Sequence, residues 1–227
     1  CGRWSDGGGD HVDPDVPREE DVGDLFEERA RLYGMDRGAP PLQAGEIGIP
    51  RAHQTCDIAP LCRALLGKLG LPVGLSGVTA PETLQQAVAL SRSEQCLPLK
   101  VGIAHCADLL DRGARALFLP SIGEYPQDPR LEKPDSIRLM HCIYGQQLGP
   151  IVKAALGDRA AARGIPMVVP HVSPNPALFE VSCRSLREAL RPIGDFGPRQ
   201  IEEALHEAVA REREIRSKAE CMGVPAL

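Results

Sequence analysis

Four short apolar runs punctuate the chain from residue 45 onward: "GEIGIPRA", "LPVGLSG", "ARALFLPSI" and "IPMVVPHV". Each is rich in Ile, Leu or Val and is bounded by Gly, Pro or polar residues, the pattern of strands buried on both faces. Between them the apolar positions fall at helical spacing. "DIAPLCRALLGKLG" predicts a helix with Asp57 as N-cap and Gly70 as its stop. "APETLQQAVALS" opens a second helix with Pro81; "PLKVGIAHCADLLDRG" is a third, with Pro98 at its first position and Gly113 at its end. "GQQLGPIVKAALGDRAAARG" predicts a fourth, disturbed at Pro150. "PALFEVSCRSLREAL" and "GPRQIEEALHEAVAREREIRSKAECMG" close the chain as helices. Short strands alternating with helices mean βαβ units. The expected class is therefore α/β, a parallel sheet of about four strands flanked by helices, with a C-terminal helical extension.

Residues 1–44 break this pattern. They are rich in Gly, Asp and Pro, and they carry 11 acidic against five basic residues. So little apolar surface does not offset the ordering entropy of a chain, so the segment reads as an acidic, partly disordered linker. Within it "LFEERARLYG" predicts one short amphipathic helix. The domain is expected over 45–222, with 223–227 as a tail. A formal net charge of −5 argues against a nucleic-acid partner, which calls for a basic stripe. No apolar run approaches the roughly 20 residues of a membrane span, and no secretory signal precedes the domain. Eight cysteines without a stapling pattern fit a reducing cytoplasm. A chain that begins with Cys1 is expected to be a fragment of a longer polypeptide.

The cysteines separate by helical face. Cys62 continues a stripe with Ile58, Leu65 and Leu69; Cys106 with Leu99, Ile103 and Leu110; Cys183 with Phe179, Leu186 and Leu190. These three are expected to pack as small hydrophobes. Cys221 ends the last helix with no evident partner. Cys56, Cys96 and Cys142 lie off any stripe, each just before a predicted helix. A thiol there meets the positive end of the helix dipole, which favours thiolate, the form that binds metal or attacks an electrophile. In parallel sheets ligands sit beyond the carboxyl ends of the strands. That edge gathers the loops 52–56, 77–80, 120–145 and 170–176, so the three thiols are candidates to converge. No CxxC motif joins them, and spacing alone leaves metal ligation and inconsequential loop cysteines both open. Thiolate-rich sites select zinc or iron–sulfur clusters, and three candidates suit a cubane with one open iron slightly better than a closed zinc site.

The stretches "EIGIPRA", "SEQCLPLKVGIAHCADLLDRGARALFLPSI" and "HCIYGQQLGPIVKAAL" resemble a domain of the acyl-CoA dehydratase activase-related proteins. In these large bacterial and archaeal proteins the domain is fused to ATP-dependent activases of 2-hydroxyacyl-CoA dehydratases. Ser93, Glu94, Cys96, Pro98, Lys100, His105, Asp108 and Pro120 match the family's middle motif and the strand after it. Cys142, Tyr144 and Gly145 approximate its later Cys-Pro-Tyr-x-x-Gly motif, with Ile143 where the family commonly has proline. The resemblance covers about residues 45–222. The family domain is similar to the iron–sulfur subunits of the dehydratases and of benzoyl-CoA reductases, whose Rossmann-like lobes hold a [4Fe–4S] cluster through cysteines. The resemblance implies Cys96 and Cys142 as cluster ligands, with Cys56 or a residue outside this chain as the third. Lys100 then offsets the charge of a thiolate-ligated cluster and His105 donates a hydrogen bond to a sulfur. The alternative makes Lys100 a solvated lysine and His105 with Asp108 a satisfied pair at i, i+3. His141 and His171 are weaker candidate ligands. Cys1 resembles the last member of a small cysteine cluster that precedes the domain in the family.

Two functions follow as expectations. The first is an iron–sulfur-cluster-binding electron-transfer domain, serving acyl-CoA chemistry with an ATP-dependent activase domain or subunit and an acyl-CoA enzyme as partners. The second is a metal-free interaction domain that docks those partners. A homodimer is compatible with either. No G-x-G-x-x-G follows the first strand and no G-x-x-x-x-G-K-[ST] occurs, so the chain by itself is not expected to hydrolyse ATP; "GLSGVTAPE" is at most a weak phosphate-binding signal. No complete active site is visible.

Overall fold

A computed structural model describes residues 24–37, 40–91, 93–124, 142–173 and 175–222. Four parallel strands form one sheet: β1 (Ile47–Ile49), β2 (Val73–Leu75), β3 (Ala116–Phe118) and β4 (Met167–Val168), in the order β2-β1-β3-β4. The α/β class and the four-strand count expected from the apolar runs hold. The strands are only two or three residues long, so each run supplies a few paired positions while its flanks turn toward the helices.

Alternation along the strands divides the core. Ile47, Ile49, Ala116, Phe118 and Val168 face one way, into a cluster with α2 (Ala59–Lys68), α7 (Phe179–Leu190) and α8 (Pro198–Cys221). Leu117 and Met167 face the other way, onto α4 (Leu97–Asp111) and α6 (Leu148–Ala161), while α3 (Pro81–Leu90) packs on the outer side of α4. Gly48 takes the position in β1 that faces Leu109; a Cβ there would lie 3.1 Å from Leu109 Cδ2. Both faces of the sheet are thus covered, as an all-parallel sheet requires.

Local chemistry sets the element ends. Gly70 and Gly113 follow α2 and α4 with φ of +73° and +76°, so both serve as the stops that the sequence assigned to them. α2 begins at Ala59 instead of being capped by Asp57, whose carboxylate is taken by Arg29 at 2.6 Å. α4 starts one residue before Pro98, which places Cys96 at the N-cap itself. The disturbance expected at Pro150 falls at Gln147, between α5 (Ile143–Gln146) and α6. Pro150 has no N–H to give to the Gln146 carbonyl, so the helical ladder is interrupted one turn earlier.

The acidic segment before the domain also departs from a simple linker. α1 (Leu25–Leu32) is capped by Asp24, which accepts from the amides of Phe26 at 2.9 Å and Glu27 at 3.1 Å. Tyr33, buried to 5% exposure, then packs on Ile215 and Ala219 of α8. Tyr33 and its aliphatic neighbours, together with the Arg29–Asp57 ion pair, seat the helix that "LFEERARLYG" predicts. Leu42 continues inward, its amide donating to the Leu75 carbonyl at 2.8 Å, and Pro41 bridges Leu75 on the outer edge of β2. Cys1, His141 and most of the loop expected at 120–145 lie outside the described residues.

Candidate functional site

β1 pairs with β2 on one side and with β3 on the other, so the chain changes direction at β1 and opens a crevice beyond the carboxyl ends of β1 and β3. The loop after β1 turns back in one 3-10 turn, His53–Thr55. His53 has φ +52°, the one non-glycine residue in the left-handed region among the described residues. Gln54, 2% exposed, reaches across the crevice and donates from Nε2 to the Pro120 carbonyl at 3.2 Å, tying the exit of β1 to that of β3. Its Oε1 has no hydrogen-bond partner among the described residues. Thr55 donates its hydroxyl to the Pro50 carbonyl at 2.6 Å and locks the turn.

Two helices pack against this turn. On α4, Gly102 sits where a Cβ would lie 2.8 Å from Leu148 Cδ1 and 3.7 Å from Ala52 Cβ. On α5, Gly145 sits where a Cβ would lie 2.2 Å from His53 Cε1. Glycine at 145 lets α5 close onto His53 of the β1 loop, and glycine at 102 lets α4 close onto Leu148 of α6. Cys96 and Cys142 are the N-caps of these two helices, and both are exposed. Around them Leu97, Ile143 and Tyr144 are large apolar side chains at 54%, 68% and 57% exposure. Each of the two N-caps therefore presents an accessible thiol next to large exposed apolar side chains.

Cys56 is placed differently. It caps the 3-10 turn at the foot of α2 and is half-buried. Burial, then the Asp57 carboxylate, pushes its thiol up to about 12, against the opposing pull of Arg29 and Arg51. At neutral pH Cys56 is a neutral thiol in this arrangement. Among the described residues no group of three His, Cys, Asp or Glu side chains is assembled that could hold a metal ion. Cys96 and Cys142 have the exposure and chemistry a thiolate-ligated cluster needs, and Cys56 as packed here does not. The described residues by themselves do not complete a cluster site.

The two motif residues beside the cysteines also part company. Lys100 lies in the first turns of α4, its side chain 17% exposed, with Nζ 3.6 Å from the carboxylate of Glu94. It is a rim cation held low against the helix. His105 is 1% exposed and lies in the α3–α4 interface, where Nε2 and Thr79 Oγ1 are 2.9 Å apart. Desolvation brings its pKa down to about 4, so it is neutral. The pairing of His105 with Asp108 gives way to two separate anchors on the loop after β2. Asp108 accepts from the Gly77 amide at 2.8 Å and from Arg112 Nε at 2.8 Å, while His105 holds Thr79. His171 follows β4, its amide bonded to Ser185 Oγ at 2.8 Å and its backbone bridged to Ser121.

The three stripe cysteines pack as their spacing implied. Cys62 and Cys106 are fully buried and Cys183 lies at the margin of the core beside α8. Burial raises the thiol pKa of each, Cys183 to about 11. Missing from a reading by periodicity are His53 and Gln54, which join the two strand exits. Their only sequence signal is the polar "HQT" set between two apolar elements.

No curated protein and no solved structure matches the chain. The family model of the CoA enzyme activase uncharacterised domain matches residues 46–227, which span the whole sheet, both rim thiols and every helix after α1. The chain belongs to that family of CoA enzyme activase-related domains.

Proposed function

We propose that this domain serves electron transfer in an acyl-CoA dehydratase activase system in the cytoplasm, supplying Cys96 and Cys142 as two thiolate ligands of a [4Fe–4S] cluster. The remaining ligands come from outside the described residues, with Cys56 a third only after rearrangement. The observation that supports this reading is the pair of exposed thiols at the N-caps of α4 and α5, two helices that both pack against the turn after β1. Such a cluster supplies low-potential one-electron chemistry when bound. The chain's own part is to present the two sulfurs, to hold Lys100 beside them as a compensating charge, and to keep apolar groups around them. His105, seated between α3 and α4, fixes the loop after β2. Partners are the ATP-dependent activase domain or subunit and the acyl-CoA enzyme.

Anaerobic reconstitution with iron and sulfide tests the reading. The protein should turn brown with broad absorbance near about 400 nm, the mark of thiolate-ligated iron. Cys96→Ala and Cys142→Ala should each lose bound iron, and the double variant should bind none. Stoichiometric iron and sulfide in the double variant would sink the proposal.

The exposed Leu97, Ile143 and Tyr144 favour a second reading, a metal-free docking face for the same partners. It predicts a colourless reconstituted protein and a Tyr144→Asp variant that loses affinity for the activase. Unchanged activase binding in that variant would remove it.

A further inference from the structure

The segment from Asp24 to Arg37 precedes the family-matched residues 46–227, yet it is fastened to them at four points. Arg29 of α1 makes an ion pair with Asp57 at 2.6 Å, the two side chains 15% and 16% exposed. Arg51 donates from Nη1 to the carbonyls of Met35, at 3.1 Å, and Asp36. Arg63 donates to the Gly34 carbonyl at 3.2 Å. Tyr33, with Arg29 stacked 4.9 Å from its ring centroid, fills the small satellite cluster with Ile215 and Ala219. Two of these fastenings, through Arg51 and Asp57, grip the residues on either side of the 3-10 turn that carries Cys56.

The segment is shallowly held compared with the domain. α1 buries none of its own residues, and the apolar anchors of the segment are Tyr33 in a small satellite cluster and the partly buried Met35, which reaches the margin of one main core. Elements with few buried apolar contacts and mostly polar fastenings open at a fraction of the global unfolding free energy. Arg29 and Asp57 are also neighbours of the Cys56 sulfur in the electrostatic sense: both act on its ionisation.

We infer that residues 24–37 form a detachable strap that shields Cys56, so that lifting the strap exposes this third thiol of the carboxyl edge without unfolding the domain. The strap is a switch on thiol accessibility. It stands on the four fastenings and the depth of Cys56, whether or not any cluster binds at the crevice. Lifting it breaks the bonds of Asp57 to Arg29 and of Arg51 to the Met35 and Asp36 carbonyls, on either side of Cys56.

Native-state alkylation with iodoacetamide under reducing conditions, resolved by peptide mass spectrometry, reads each thiol separately in the full chain. Cys96 and Cys142 should react fast, Cys56 slowly, and the core thiols Cys62 and Cys106 hardly at all. The Tyr33→Ala/Arg63→Ala variant, which loosens the strap and leaves the charges beside Cys56 in place, should raise the Cys56 rate roughly tenfold or more while Cys62 and Cys106 stay protected. An unchanged Cys56 rate in that variant, or a wild-type Cys56 as fast as Cys96, overturns the inference. Should the variant unfold, shown by reactive Cys62 and Cys106, hydrogen exchange of the wild-type chain decides. Amides of 25–36 must exchange well before those of α2 and α4; exchange only together with them overturns the strap.

Discussion

His105 and Cys106 are neighbours on one helix and both are buried, yet they answer to different chemistry. His105 is held neutral with a pKa near 4, below the unfolded value of about 6.5. The unfolded state therefore binds more protons between these values, and stability must fall as pH drops through that window. The shift corresponds to about 3 kcal/mol at most. Urea midpoints of wild type and His105→Gln, compared between pH 7.5 and pH 4, should show the steeper loss in wild type; equal losses would contradict the burial argument. Cys106 sits at 0% exposure among Leu99, Ile103 and Leu110, so Cys106→Ser places an unmatched hydroxyl in an apolar site and should cost about 1–3 kcal/mol. Cys96→Ser, at an exposed N-cap, should change stability by less than about 0.5 kcal/mol. Chemical denaturation separates the two. Helical spacing alone distinguished these two cysteines, because a stripe is a local property of the sequence. The +52° φ of His53 and the reach of Gln54 to Pro120 were not legible, since they depend on which strand lies beside β1.

At the level of elements, α6 carries two glycines with opposite duties. A Cβ on Gly149 would lie 2.4 Å from Val169 Cγ1 and 3.3 Å from the Leu119 carbonyl, so the helix packs on the strand exits only because that Cβ is missing. Gly149→Ala should destabilise by about 1–3 kcal/mol through overpacking. A Cβ on Gly157 meets nothing closer than Lys153 Cγ at 3.9 Å. Gly157→Ala should stabilise by about 0.5–1 kcal/mol, because alanine loses less backbone freedom on entering a helix. Thermal melts of the two variants should move in opposite directions, and a shared direction would contradict the packing described. The helices and strands were readable because apolar period and Gly/Pro punctuation agree over most of the domain. Where they conflicted, the structure decided: Asp57 spends its carboxylate on Arg29 instead of a cap, and Pro150 breaks its helix three residues upstream.

For the whole molecule, parallel pairing and the β2-β1-β3-β4 order fix where the thiols can be, and that much follows from alternating strands and helices once the order is known. The order itself is not written in any local pattern, so the exposure of Cys96 and Cys142 at two helix N-caps and the partial burial of Cys56 after β1 needed the fold. One further feature bears on how other molecules approach. Parallel sheets can recruit a partner by accepting its backbone as an added strand. Here the β2 side already carries the Pro41–Leu75 bridge, and a proline offers no N–H to a newcomer. The β4 side offers only two residues, Met167 and Val168. Among the described residues both flanks of the sheet thus offer little ladder for strand addition, and a partner of this domain is expected to be read by side chains on its helices and turns. Its specificity is then written in sequence, where point substitutions can retune it, and not in the generic ladder of a shared sheet.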